Sequence, residues 1–222
     1  AHGVAALLAG VRGDAARAAA ARATGGWALL GALRARRAGA AQAGGADSVA
    51  RRAAAIFAYG SPEFALALEA LAGASAEVHA FDEALALEDV ATLDARELDE
   101  WVFERLRGTL KDATAAPGGE LDAKLRAEGA LIVVHLPGLH SHGRAHRPSS
   151  EQYLNNIKSV DRGIERLARE LEAFYGADGS RRTAFVLASD HGLDDRGGFG
   201  GGARECTSTP LVVWGAGLEG EA

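Results

Sequence analysis

The segment Ala130-Leu131-Ile132-Val133-Val134-His135-Leu136 is apolar at every position but one and rich in β-branched side chains. A run that does not alternate suits a strand covered on both faces, which is the usual condition of a parallel sheet. Pro137-Gly138 stops it. A second run of this kind, Thr183-Ala184-Phe185-Val186-Leu187-Ala188, leads straight into Ser189-Asp190-His191-Gly192. Between them, Tyr153, Ile157, Val160, Ile164, Leu167, Leu171 and Phe174 recur at three and four residues, the signature of one long amphipathic helix. Ser149-Ser150-Glu151-Gln152 offers a Ser-x-x-Gln capping box at its start, and Gly176 and Gly179 close it. A third strand, Leu211-Val212-Val213-Trp214, follows a glycine-rich stretch at 197–202.

Strand, loop, helix, strand, loop, strand predicts parallel strands joined by a crossover helix, hence an α/β fold. In such sheets ligands bind at the carboxyl ends of the strands. The two polar loops, 137–148 and 189–204, fall at such ends and are expected to face one crevice.

The first half is less patterned. Val4 to Ala9 reads as a helix turn or a buried segment. The stretch from Ala15 to Ala55 is nearly all Ala, Arg and Gly, and predicts helices broken at Gly25-Gly26 and Gly44-Gly45. Gly60-Ser61-Pro62 punctuates the chain before a helix at about 63–72. Leu98, Val102, Leu106 and Leu110 lie on one face of a further helix over 93–110.

Composition narrows the function classes. At 222 residues, 48% hydrophobic and 24% charged, the chain is globular. A net charge of −6 gives no footprint for nucleic acid, which calls for a basic face. One cysteine, Cys206, allows no disulfide within the chain and reads as a buried or half-buried free thiol. No apolar run of about 18 residues is present to span a bilayer. The chain opens on Ala1 and holds no methionine, so it is read as an internal fragment.

Chemistry concentrates in the two loops. Asp190 and His191 are adjacent oxygen and nitrogen donors of the kind zinc accepts. The dipeptide alone is more often a turn cap or surface hydrogen bond, and Gly192 after it and the apolar strand before it favour the metal reading. The segment from His135 to Pro148 holds four of the seven histidines, together with Arg144 and Arg147. It reads either as a metal or phosphate site, with arginine supplying a planar donor fork, or as a solvated basic loop. His135, inside the strand, is expected to be a core histidine. No G-x-S-x-G elbow or Walker loop occurs, and the glycines at 197–202 read as a flexible loop.

The blocks His146-Arg147-Pro148-Ser149-Ser150, Tyr153, Asn156-Ile157-Lys158, Val160-Asp161 and Gly163 resemble the glycosylphosphatidylinositol (GPI) ethanolamine phosphate transferase 1 family. So do Phe174-Tyr175-Gly176, Ser189-Asp190-His191-Gly192, Thr209-Pro210-Leu211-Val212 and Trp214-Gly215-Ala216-Gly217. Gly60-Ser61-Pro62 and Leu98-Asp99-Glu100-Trp101-Val102-Phe103 look like two further landmarks. The resemblance is dense from about 93 to 218.

It implies an alkaline phosphatase-like, mostly parallel sheet flanked by helices, incomplete at the N-terminus, with 1–222 as part of one transferase domain. It also implies two zinc ions, a lumenal position at the endoplasmic reticulum membrane, and transfer of phosphoethanolamine from phosphatidylethanolamine to the first mannose of the GPI-anchor precursor. The family's threonine nucleophile would precede Ala1, so the chain by itself is expected to be inactive. Asp190 and His191 match two metal ligands of one site. At the second site, family ligand positions hold His140, Arg144 and Phe199. His140, with help from His142, is the candidate zinc donor there, and His146 and Arg144 are candidate phosphate contacts. Alternatives are a non-catalytic homologue that keeps the fold for binding and, less favoured by the 146–163 block, a phosphodiesterase of the same superfamily.

Overall fold

The structure is a computed structural model that describes residues 3–9, 55–72, 76–82, 94–127, 129–176 and 183–216. The Ala-Arg-Gly tract before Ala55, with its expected helices, and Gly179 lie outside the described residues. Among the described residues six strands form one sheet: β1 (Gly3–Ala9), β2 (Ile56–Gly60), β3 (Ala76–Ala80), β4 (Leu131–His135), β5 (Thr183–Ser189) and β6 (Leu211–Gly215). Their order is β3-β2-β4-β1-β5-β6. All neighbours run parallel except β5 and β6, which are antiparallel. The expectation of a parallel third strand after the glycine-rich loop is therefore corrected. The segment between β5 and β6, residues 190–210, contains only a one-turn helix and no crossover helix to pack on the sheet, and β6 returns antiparallel to β5. The 4–9 segment, read as a helix turn or buried segment, is a strand.

Helices flank the sheet: α1 (Pro62–Ala72), α2 (Arg96–Ala115), α3 (Glu120–Leu125), α4 (Gly138–His146), α5 (Glu151–Tyr175) and the short α6 (Arg204–Thr207). Pleating divides the side chains of β2 and β4 between two cores. Phe57, Tyr59, Ile132 and Val134 meet Val102, Phe103 and Leu106 of α2 and Leu167 and Leu171 of α5. Ile56, Ala58, Leu131 and Val133 meet Phe64 and Leu68 of α1. Covering on both faces is why β4 reads as an unbroken apolar run.

The stripe on α2 is fully buried at Leu98, Val102, Leu106 and Leu110. Each such side chain contributes about 1.5–3 kcal/mol. On α5 the stripe holds at Val160, Leu167, Leu171 and Phe174, but Ile157 points outward and Asn156 is fully buried in its place. The helix begins one residue later than the capping box predicts. Ser150 is the N-cap and its Oγ accepts from the Tyr153 N–H at 3.1 Å, which leaves Gln152 one position short of the reciprocal bond.

The stretch read as a polar loop after β4 is helix α4, and its start is fixed from a distance. The Gly138 N–H donates to Oδ1 of Asp99 on α2 at 2.9 Å. A Cβ on residue 138 would stand 2.2 Å from Asp99 Oδ2 and 2.4 Å from the Ala95 carbonyl, so only glycine allows the approach.

Candidate metal and phosphate site

Strand β5 ends at Ser189, and the next two residues carry the Asp190 carboxylate and the His191 imidazole to the carboxyl edge of the sheet. Ser189 Oγ donates to the His191 carbonyl at 2.7 Å and the Gly192 N–H donates to the Cys206 carbonyl at 2.9 Å, which lock the turn. Gly192 lies so close to the chain at Glu205 that a Cβ would stand 1.9 Å from its carbonyl oxygen.

A hydrogen bond to the backbone sets the His191 tautomer. The ring Nδ1 lies 2.9 Å from the Gly192 carbonyl. A carbonyl only accepts, so Nδ1 carries the proton and the neutral ring keeps its lone pair on Nε2. That Nε2 is buried with no hydrogen-bond partner and stands 3.9 Å from Asp190 Oδ1. Partial enclosure raises the Asp190 carboxyl above the usual carboxylate range, against the opposing pull of the His191 side chain and of backbone N–H groups. An orphaned imidazole nitrogen with a fixed tautomer, beside a desolvated carboxylate, fits a divalent cation such as zinc.

Helix α4 supplies the opposite wall. His140 is buried, and its ring meets His191 edge to face with centroids 5.2 Å apart. The two loops expected to share a crevice do meet. Phe199 joins them, its ring stacked on His191 at 4.9 Å and 17° and edge-on to His140 at 5.0 Å. The Arg144 guanidinium lies 5.2 Å from the centre of the same Phe199 ring.

His142 is engaged elsewhere. Two residues on from His140, it faces another side of α4, where its Nε2 accepts the Ala95 N–H at 3.0 Å. His146 packs edge to face against it at 5.6 Å rather than joining His140 and His191. Beyond His146 the chain turns through Arg147 in a left-handed conformation, φ 71°, and its carbonyl accepts from the Ser150 N–H and Oγ. Among the described residues no three His, Cys, Asp or Glu side chains converge on one point.

His135 is the core histidine that its strand position predicts. It is 1% exposed, stacks on Phe64, and accepts the Ser61 N–H on Nδ1 at 3.5 Å. Burial, with a smaller push from His140, drives its pKa down to about 3.

Sequence reasoning missed the residues that organise these elements. Asp194 accepts from the Arg196 and Gly198 N–H groups, both at 2.8 Å, and the buried Cys206 thiol reaches the Gly198 carbonyl at 3.6 Å. The stretch read as a flexible loop is therefore held at Gly198, the residue before Phe199. Asp99 was visible only as a carboxylate four residues before Phe103, on the buried face of α2.

A largely parallel sheet with helices against it, and a carboxylate–imidazole pair at a strand end facing α4, define an alkaline phosphatase-like α/β protein. Residues 48–196 match the type I phosphodiesterase / nucleotide pyrophosphatase family, and the chain belongs to it. It is 42% identical over 174 residues to the GPI ethanolamine phosphate transferase 1 of Aspergillus fumigatus, covering 78% of this chain and 16% of that protein. It is 36% identical over 173 residues to the Homo sapiens protein of that name, covering 78% of this chain and 18% of the relative. With the Aspergillus oryzae protein it shares 46% over 125 residues, 56% of this chain and 12% of the relative. The chain thus spans less than a fifth of the length of these relatives.

Proposed function

We propose that this chain forms part of the catalytic domain of a phosphoethanolamine transferase of GPI-anchor biosynthesis, facing the lumen of the endoplasmic reticulum. The reading rests on one observation above all. The unpartnered Nε2 of His191 stands 3.9 Å from Asp190 Oδ1 at the carboxyl end of β5, in a chain 42% identical to a transferase of that name. No helix among the described residues is long and apolar enough to cross a membrane.

In this reading Asp190 and His191 hold a zinc ion, which when bound supplies Lewis-acid stabilisation of oxyanion charge. The Gly192 carbonyl keeps Nε2 free to serve as ligand, and the enclosure that raises Asp190 strengthens its attraction to a cation. The substrates are phosphatidylethanolamine and the first mannose of a GPI-anchor precursor. Overall, the phosphorus–oxygen bond to diacylglycerol breaks, one to a mannose hydroxyl forms, and the hydroxyl proton passes to the departing oxygen. A second reading, a homologue that binds without catalysis, is favoured by Phe199 and Arg144, which stand beside His140 where further metal donors would be needed.

Expression of the whole coding region in cells lacking the first-mannose transferase separates the readings. Restored surface display of GPI-anchored proteins, abolished by Asp190→Asn, is the expected result. Failure of the unmutated protein to restore display would overturn the transferase reading.

A further inference from the structure

The resemblance implies two zinc ions, and the described residues do not fit the second. His142 lends its acceptor nitrogen to Ala95, and Phe199 fills the space beside His140 and His191 with an aromatic ring. A cation is nevertheless present. Arg144 is exposed, lies over Phe199, and is paired with no carboxylate among the described residues.

Its placement is built rather than incidental. Gly197, buried at φ 80°, lies so close to α4 that a Cβ there would stand 2.4 Å from the Gly143 carbonyl and 3.1 Å from the Arg144 Cα. Gly143 in turn packs so tightly on Leu193 that a Cβ would meet Leu193 Cδ1 at 2.3 Å. The backbones that carry Arg144 and Phe199 are thereby held together, and Asp194 and Cys206 fix Gly198 just ahead of Phe199. The Arg144 guanidinium carbon stands 5.2 Å from the centre of the Phe199 ring, and its planar N–H fork suits phosphoryl oxygens. A carboxylate repels an oxyanion, so a phosphoryl group at a site that includes Asp190 calls for cationic partners. Asp190–His191 for one metal ion and Arg144 for the phosphoryl group satisfy that demand.

We propose that Arg144, laid on Phe199, is the phosphoryl-binding cation of this site, so that the centre takes one divalent ion and a guanidinium in place of two ions. Phe199 is its positioning residue. The proposal rests on the transferase reading for its substrate class only: the phosphoryl group could belong to a lipid headgroup or to free phosphate.

The test uses the full chain and requires no turnover. Zinc per chain is counted by elemental analysis after gel filtration, and calorimetry of the zinc-loaded protein follows inorganic phosphate and, separately, glycerophosphoethanolamine. One zinc per chain is expected in the unmutated protein and in Arg144→Gln. Arg144→Gln is expected to weaken phosphoryl binding about tenfold or more, with Arg144→Lys intermediate, because a point charge lacks the fork. Phe199→Leu is expected to weaken it about two- to fivefold, the scale of an exposed cation–π contact. Weakening for both probes assigns Arg144 to any phosphoryl group, and weakening for the diester alone assigns it to a lipid headgroup. Two zinc ions per chain, or Arg144→Gln binding both probes within twofold of the unmutated protein, would overturn the proposal. Neither readout depends on rescue of the deficient cells, so the two readings fail separately.

Discussion

Ala95 donates its backbone N–H to His142 Nε2 at 3.0 Å, so that a residue of α4 satisfies the entry to α2. The reverse tie, from the Gly138 N–H to Asp99, makes the two helices cap each other. His142→Ala removes the acceptor and leaves a buried N–H unpaired, at a cost of about 1–3 kcal/mol. Urea denaturation is expected to show that loss, while zinc affinity at Asp190–His191 stays within twofold. A variant that lost zinc without losing stability would instead make His142 a ligand.

The other half of the tie predicts a pH dependence. Asp99 is 2% exposed, and burial pushes its carboxyl up to about 7 despite the bond from Gly138. An acid with a raised folded-state pKa stabilises the fold while protonated, fully so below its unfolded value near 3.8, and that contribution is lost as pH rises towards 7. His135 acts in the other direction. Held neutral with a pKa of about 3, it removes stability as pH falls below its unfolded value of 6.5. Asp99→Asn keeps an acceptor for Gly138 and cannot ionise. The melting temperature of Asp99→Asn relative to the unmutated protein is expected to climb between pH 5 and 8 and then level off, since His135 cancels from the difference. A flat difference would show that Asp99 is not buried as described.

Two helical glycines should respond oppositely to alanine. A Cβ at Gly163 of α5 would stand 2.2 Å from the Phe103 ring of α2, itself 2% exposed, so Gly163→Ala forces the helices apart and is expected to cost about 1–3 kcal/mol. Gly108 of α2 has nothing within 4 Å of the same atom, and Gly108→Ala is expected to gain about 0.5–1 kcal/mol from helix propensity alone. Denaturation midpoints of both variants at one pH decide this. Equal shifts would contradict the close α2–α5 packing.

What the sequence revealed of this fold follows from how each element is covered. β4 wrote itself as an apolar run because α1 and α2 close both its faces. α2 did so through residues four apart, of which Val102, Leu106 and Leu110 enter the core under the sheet and Leu98 packs with Phe81. β3 escaped because its Glu77 and His79 alternate with small residues, and His79 is accommodated by a stack on Tyr59 and a contact with Arg105. α4 escaped because Gly138, His140, His142 and Gly143 carry little helix propensity, and the bond that starts it comes from Asp99, 39 residues upstream. At the site, Asp190 and His191 were legible as adjacent donors after a strand. The commitment of His142 to Ala95 and the stack of Phe199 on His191 were not, since both depend on chain segments that only the tertiary fold brings together.

That stack supplies the last prediction. Phe199 lies 4.9 Å from His191 and 5.0 Å from His140, centroid to centroid, so the site has two imidazoles around a ring that offers no lone pair. Phe199→His would place a third imidazole on a loop already held by Asp194 and Cys206, beside the Asp190 carboxylate. Nitrogen donors brought together on a fixed scaffold bind zinc without a new ordering cost. Zinc affinity, measured by competition with a chromophoric chelator, is expected to tighten about tenfold, about 1.4 kcal/mol. The same change removes the aromatic face under Arg144, so phosphate binding is expected to lose its dependence on that residue. Phe199→Tyr, which keeps the aromatic face and adds no nitrogen, should do neither. Tightening in both variants would point to loosened packing rather than a new ligand, and tightening in neither would mean that the three side chains do not share the space their centroids define.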